Sequence, residues 1–345
     1  MSSLTGAHFL YHFCDDAHGI LNLMIRVEKQ RGFTIVELLI VIVVIGILAA
    51  ITIVAFNGVS NRARVSAMQA DLNNSAKSLD TYRLTTSANE QYPADLAAAN
   101  LKSSNGTTYH YSVDNTANPV QYCLTAINGN IDYYMATNGR PTEGTCYENY
   151  GLVGWWQLNG NANDSSGNNA NGTVTGATLT TGANGAANGA YNFAATADNI
   201  SLPSNTALNN PAFTYIAWVK PPSITANMTV IGSGYGSVQL RIDAGKPTLL
   251  ATGVQQYASS TGTITANTWS YVGVTFNTSG TFTYYINGVA AGSGTTTRAF
   301  TFTSNYIGRT AVGVENFVGA IDGIRMYNRA LSSTEMSALY ASTPL

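Results

Sequence analysis

The sequence predicts two folds in one chain. The first is an α+β domain in which a long N-terminal helix packs on a small antiparallel sheet, and the second is an all-β sandwich. Three observations predict them. Residues 32–56 read GFTIVELLIVIVVIGILAAITIVAF, a nearly all-apolar run that continues as a helical pattern to about residue 84. Between 109 and 136, short runs rich in Tyr, Val, Ile and Thr are separated by Asn-Gly turn signals. From residue 151 onward, strand-like runs recur between turns with almost no helical periodicity.

An apolar stretch of about 20 residues is long enough to cross a bilayer, which places a transmembrane helix at about 35–56. Its one charged residue is Glu37, and Arg26, Lys29 and Arg31 precede it. A carboxylate within a membrane costs roughly 2.5–3.5 kcal/mol on insertion scales, so Glu37 asks for a partner. Beyond the apolar run, Val65, Met68, Leu72, Ala76 and Leu79 recur at three- and four-residue steps. This stripe reads as core. A continuous helix from Phe33 to about Leu84 would be roughly 78 Å long at 1.5 Å per residue. No proline occurs within it, and Gly46 and Gly58 are its weak points.

Gly32-Phe33-Thr34-Ile35-Val36-Glu37 resembles the processing site of type IV prepilins and the related pseudopilins. The resemblance implies cleavage between Gly32 and Phe33 by the prepilin peptidase, methylation of the new amine, and polymerisation through the apolar helices. It also implies that Glu37 pairs with the Phe33 amine of a neighbouring subunit. The implied partners are other pilin subunits, the assembly machinery and the membrane. The implied location is the cytoplasmic membrane for a single-pass precursor, then an extracellular filament. Residues 1–32 are then a leader, and Met24 followed by IRVEKQRG would make a complete short one. The chain departs from many members of the family in lacking a helix-kinking proline about two dozen residues after the cut; the first proline is Pro93. A plain signal anchor has no reason to combine Gly-Phe-Thr with an acid at this spacing.

The rest of the first domain, to about residue 149, supplies the sheet from runs at 109–113, 120–127 and 131–136, with Asn-Gly turns at 128–129 and 138–139. Cys123 and Cys146 are the only cysteines after Gly32, and in an exported protein they predict a disulfide. In the chain-entropy model, closing that loop contributes roughly 3 kcal/mol. A metal site wants four ligands, and His110 is the only candidate third. The pair resembles the disulfide-closed C-terminal loop of pilins.

Residues 151–345 hold seven Lys/Arg against six Asp/Glu amid many Asn, Thr, Gly and Ala residues. This charge-poor surface excludes nucleic acid as a partner, since that needs clustered basic residues. In FTYYINGVAAG, Asn287-Gly288 supplies a type I′ hairpin turn. GLVGWWQLNGNANDSSGNNANGT, FTYIAWVK, NTWSYVGVTFN, FTYYINGV and FVGAIDGIRMYNRALSSTEMSALY follow one another in the order of the strands of a laminin-G-like domain. Residues 151–341 thus resemble that family, part of the concanavalin A-like jelly-roll superfamily. RALSSTEMSALY reads as a closing helix capped by Ser332 or Ser333, with Glu335 in its first turn.

Chemistry is mostly excluded. After Gly32 the one histidine is His110, so the β domain holds no histidine-dependent triad. Its acids are scattered, with none of the alternating carboxylates that glycosidases pair about 5–9 Å apart, so no enzyme is expected. The laminin-G resemblance implies calcium as a possible ligand, with Asp164 and Asp322 at positions where that family places acids. The alternative is that Asp164 orders an Asx turn while Asp322 pairs with Arg325 or Arg329. Among aromatics, Tyr235 and Tyr257 lie in loop-like sequence and are the candidates for an exposed ligand site. Adjacent Trp155 and Trp156 must face opposite sides of a strand. The expected function is a minor, modular type IV pilin that displays a lectin-like adhesion module for an extracellular glycan or protein. The alternative is a pseudopilin of a type II secretion system whose β domain contacts cargo or is structural.

Overall fold

In the computed structural model the described residues are 33–343, apart from 105, 116, 118, 204–210, 233–237, 252–254, 257–258, 298–299, 301–304 and 311–314. The chain divides into two compact units, one ending at Val59 and one running from Ser60 to Leu345. Helix α1 (Ile35–Thr85) is continuous through Gly46 and Gly58. In the first unit, every side chain from Phe33 to Val59 is exposed, including eighteen large apolar ones. So much apolar surface is stable only in lipid or against other apolar helices.

The second unit begins with the amphipathic part of α1. Met68, Leu72, Ser75 and Leu79 are its buried residues. They face a four-stranded antiparallel sheet of β1 (Thr108–Asp114), β2 (Gln121–Asn128), β3 (Ile131–Ala136) and β4 (Thr142–Glu143), in that spatial order. Strand alternation divides β2 between two neighbours. Tyr122, Leu124 and Ala126 join Met68, Leu72 and Leu79 in one cluster. Cys123 on the other face meets Cys146, at the start of the short helix α2 (Cys146–Asn149). The β2–β3 hairpin is shifted by one residue from the expected Asn128-Gly129 turn. Asn128 pairs with Ile131, so Gly129 and Asn130 make the corner, with Gly129 at a φ of 67°. This places Gly at the first central position, as a two-residue turn with one positive φ requires.

The sandwich follows with no separating linker. Its strands are β5 (Leu152–Trp156), β6 (Thr173–Thr175), β7 (Thr178–Thr180), β8 (Ala190–Phe193), β9 (Asn199–Leu202), β10 (Phe213–Lys220), β11 (Asn227–Gly232) and β12 (Val238–Asp243). They continue with β13 (Lys246–Ala251), β14 (Gln255–Gln256), β15 (Ser270–Phe276), β16 (Thr281–Ile286), β17 (Val289–Thr295), β18 (Asn305–Ile307) and β19 (Gly319–Tyr327), and the chain closes with helix α3 (Ser333–Ser342). Among the described residues one sheet runs β17-β16-β15-β10-β19-β8-β7, with β5 also on β19, and the other runs β14-β13-β12-β11-β18-β9-β6. Asn287 and Gly288 both have positive φ, as a type I′ turn between β16 and β17 demands.

Alternation assigns the two faces of β10. Phe213, Tyr215, Ala217 and Val219 enter the inter-sheet core, while Ile216 and Trp218 join an outer cluster with Leu331, Met336 and Leu339 around α3. Gly273 on β15 permits that packing, since a Cβ there would come within 2.7 Å of the Met336 methyl. Trp156 turns into the core and donates its indole N–H to the Ala170 carbonyl at 2.8 Å; Trp155 faces outward under Arg325.

Candidate functional site

At the start of α1, Thr34 and Glu37 form a reciprocal cap. The Glu37 amide donates to Thr34 Oγ1 at 3.2 Å, and the Thr34 amide and hydroxyl donate to Glu37 Oε2, each at 2.8 Å. This capping box satisfies two N–H groups that a helix start leaves unpaired. Phe33 beside it is exposed, and Gly32, with the rest of the leader, lies outside the described residues. The ion pairs of the described residues lie elsewhere, so Glu37 is satisfied by local donors and has no cation partner among the described residues.

A second site joins the small sheet to the sandwich. Arg329 lies just after β19, and its guanidinium grips Glu335 with two hydrogen bonds of 2.8 and 3.1 Å. The same guanidinium donates to the carbonyls of Tyr150 at 2.7 Å and Cys146 at 2.9 Å, and it stacks 5.1 Å from the Tyr150 ring centroid. Glu335 closes the circuit by accepting from the Ser332 amide and from Ser112 Oγ on β1. Nearby, the Tyr327 hydroxyl donates to the Tyr147 carbonyl at 2.7 Å, and the Asn328 amide donates to the Gly151 carbonyl. Burial pushes the Glu335 carboxyl up, but the Arg329 charge and the Ser332 hydrogen bonds outweigh it and hold the group below its ordinary range. The fork of an arginine suits this work, because it reaches a carboxylate and two carbonyls at once.

The joint also involves the disulfide. Cys123 and Cys146 are bonded, with Cα atoms 5.9 Å apart, and so α2 is fixed to β2. The Cys146 amide donates to Thr125 Oγ1, and the Cys146 carbonyl accepts from Arg329. One residue is therefore held covalently by the small sheet and by hydrogen bonds from the sandwich.

The candidate calcium residues are placed differently. Asp164 accepts from the amides of Trp155, Ser166 and Ala170 and from Ser166 Oγ, all within 2.9–3.0 Å. Burial raises its carboxyl, but these donors prevail and hold it below the usual value. It orders the loop, and its oxygens face N–H donors where a cation needs lone pairs. Asp322 is buried next to β10, accepts from the Ala183 amide at 2.9 Å, and is pushed up to about 6 by burial against the help of the Ala183 and Gly323 amides. No three His, Cys, Asp or Glu side chains gather at a point among the described residues. Ca²⁺ wants six to eight oxygens, and these two acids as arranged do not fit it. Asp322 does not pair with Arg325 or Arg329, as one alternative held. Arg329 is taken by Glu335, and Arg325 lies over the Trp155 ring at 4.4 Å. Tyr235 and Tyr257 lie outside the described residues.

The sequence pattern showed the start of α3 and its acid but not the joint. Glu335 lay in a visible capping sequence, whereas its counter-ion and the two carbonyls depend on a fold that brings positions about 180 residues apart together.

Two family models match the chain. The model described as the prokaryotic N-terminal methylation motif matches residues 28–53, and that of the concanavalin A-like lectin/glucanases superfamily matches residues 193–337. Among curated proteins, the type IV wide pilus major component PilA4 of Thermus thermophilus is 33% identical over 111 residues, which are 32% of this chain and 83% of that protein. The type II secretion system core protein G of Pseudomonas aeruginosa is 29% identical over 117 residues, 31% of this chain and 82% of that protein. Among solved structures, domain 4 of AbnA, an extracellular arabinanase from Geobacillus stearothermophilus, is 24% identical, covers 55% of this chain and 98% of its own, and has a TM-score of 0.47. The binding domain of Paraclostridial Mosquitocidal Protein 1 is 18% identical, covers 56% of this chain and 52% of its own, and has a TM-score of 0.48.

Proposed function

This chain belongs to the type IV pilin family, and from that premise we propose that it is a minor pilin carrying an adhesion module. The prepilin peptidase frees Phe33, the 33–56 helix assembles with other pilins, and the β domain binds carbohydrate or protein on a cell or matrix surface. The observation that carries this reading is the Arg329 joint. A sandwich tied to the pilin sheet through Cys146, Tyr147, Tyr150 and Ser112 travels as one body with that sheet. Filament shafts pack subunits tightly, so a fixed domain of this bulk is easiest to place at a tip. We treat the module as a binder without catalysis. Asp243 and Glu315, two of its six acids, both hydrogen-bond the buried Arg241, a structural role that needs no substrate.

The second reading is a pseudopilin that serves secretion, and the similarity to the Pseudomonas secretion protein over the same N-terminal part favours it. One comparison separates the two. The mature chain in detergent is applied to glycan and matrix-protein arrays, and a strain lacking the gene is scored for adhesion and for secreted protein. Adhesion predicts array binding and a strain that secretes normally but adheres poorly. Silent arrays, with secretion lost and adhesion intact, overturn it in favour of the pseudopilus.

A further inference from the structure

A groove at one end of the larger sheet holds a cation that meets no acid among the described residues. On the outer face, Lys220 of β10, Ala320 of β19 and Asn192 of β8 lie side by side in register. Trp269, just before β15, stands at the same end, because Ser270 after it pairs with Val219. With Asn267 and Val318 they line a groove of about 520 Å³. Its floor carries little side chain. Gly319 has a φ of 122°, and a Cβ there would come within 2.5 Å of the Lys220 carbonyl and 2.8 Å of Pro221 Cα, so glycine lets the two segments close up. Lys220 is the only charged residue of the lining; it is half-buried and makes no ion pair among the described residues. Asp322, two places beyond Ala320 on the same face of β19, accepts from the Ala183 amide instead. The rim is apolar: Val318 is 43% exposed, and Trp269 is half-buried, packed in part on the outer cluster.

We propose that this groove docks a short segment of a partner protein in which one acidic residue is flanked by apolar ones; the proposal rests on the adhesion reading and commits its ligand to a polypeptide. Charge selects the partner. An ammonium partly withdrawn from water and facing no acid is completed by a carboxylate, and a hydrogen bond between charged groups is roughly twice as strong as a neutral one. A basic segment would meet like charge. The side-chain amides of Asn192 and Asn267 each hold a donor and an acceptor, the two groups that a peptide main chain presents in turn. Trp269 and Val318 give the apolar neighbours of the acid a surface to cover. The size agrees, since ligand sites run from about 300 to 1,000 Å³, and a floor of Gly319 and Ala320 lets main chain lie close.

The test is fluorescence polarisation of the mature chain in detergent with labelled serine-rich peptides that carry Val-Glu-Val, Val-Gln-Val or Val-Lys-Val at their centre. The glutamate peptide should bind saturably, about tenfold more tightly than the glutamine one, and more weakly as salt is raised. Lys220→Met keeps most of the stem and should weaken the glutamate peptide about tenfold, the lower end for a hydrogen bond to a charged group, while Lys220→Arg should retain it. Val318→Asp places an acid on the exposed rim and should weaken binding by a similar factor, with the melting temperature unchanged. If the glutamate and glutamine peptides bind alike, or Lys220→Met binds as the wild type does, the groove does not read an acid and the proposal falls. Silence from every peptide, with an acidic glycoside bound by the wild type and lost in Lys220→Met, overturns the polypeptide as ligand. The adhesion reading is judged apart from the groove. A strain carrying Lys220→Met that adheres as well as the wild type sinks the groove and leaves adhesion standing; a strain lacking the gene that adheres normally sinks both.

Discussion

The molecule uses the same local device twice, at the start of α1 and at the start of α3, to different ends. Thr34 with Glu37, and Ser332 with Glu335, are both capping boxes in which a hydroxyl residue and the acid three positions on satisfy each other's amides. In α3 the acid is buried and gripped by Arg329, and it also holds Ser112 of the small sheet. In α1 the acid is exposed, in an apolar segment, with only Thr34 beside it. One acid has its counter-ion in place; the other has none among the described residues. What differs is the completeness of the site around the box, and an incomplete site on an apolar, unpaired helix is the mark of an interface still to be made.

The largest effect should come from breaking the complete site. Arg329→Met leaves Glu335 buried without a cation, and removing one partner of a buried pair costs about 3–5 kcal/mol. It also strips donors from the carbonyls of Cys146 and Tyr150. Thermal unfolding of the mature chain in detergent should show a clearly lowered midpoint. Adding Glu335→Leu should return much of the loss, because an apolar pair of similar volume needs no counter-ion. A single variant that melts within a degree or two of the wild type would mean the joint does not hold the two sheets together.

Acid should act on the same site more gently. Glu335 is held below the ordinary glutamate value of 4.5, so its ionised form is favoured in the folded chain. The stability it contributes is complete above that ordinary value and is lost as pH falls through the lower folded value. Stability measured downward from pH 5 should therefore fall more steeply in the wild type than in Glu335→Gln, and the two curves should converge at the acid end. Parallel curves would contradict the role assigned to the pair.

Much of this architecture was legible in the residues, and what was hidden shares one physical cause. The apolar run, the Met68–Leu72–Leu79 stripe and the Asn287-Gly288 turn each follow from spacing within a few residues, and the structure has all three. Strands as short as β6, β7 and β9 carry three or four residues, too few for alternation to stand out from the surrounding Thr, Asn and Gly. The joint, and the row that sets Trp218 beside both Tyr271 and Asp322, depend on register between strands remote in sequence, and no local pattern encodes that. Asp322 shows the limit well. Its type was readable as acid near Arg325 and Arg329, but the side chain that each arginine chose, Trp155 for one and Glu335 for the other, is a property of the packed sheet.

The smallest effect on stability should come from the incomplete site, and there the comparison is sharpest. Glu37→Gln keeps an acceptor for the Thr34 amide, and an exposed cap contributes about 1 kcal/mol or less, so the isolated chain should melt as the wild type does. In assembly the outcome should differ, because a neutral amide cannot pair with the freed Phe33 amine of the next subunit. The variant should reach the membrane and lose its leader, yet be missing from sheared filaments by immunoblot. Thr34→Ala is the matching control, since it removes the hydroxyl half of the box and keeps the acid; it should still enter filaments. If Glu37→Gln enters filaments as well as the wild type does, the acid is only a helix cap, and the resemblance between the two boxes is complete after all.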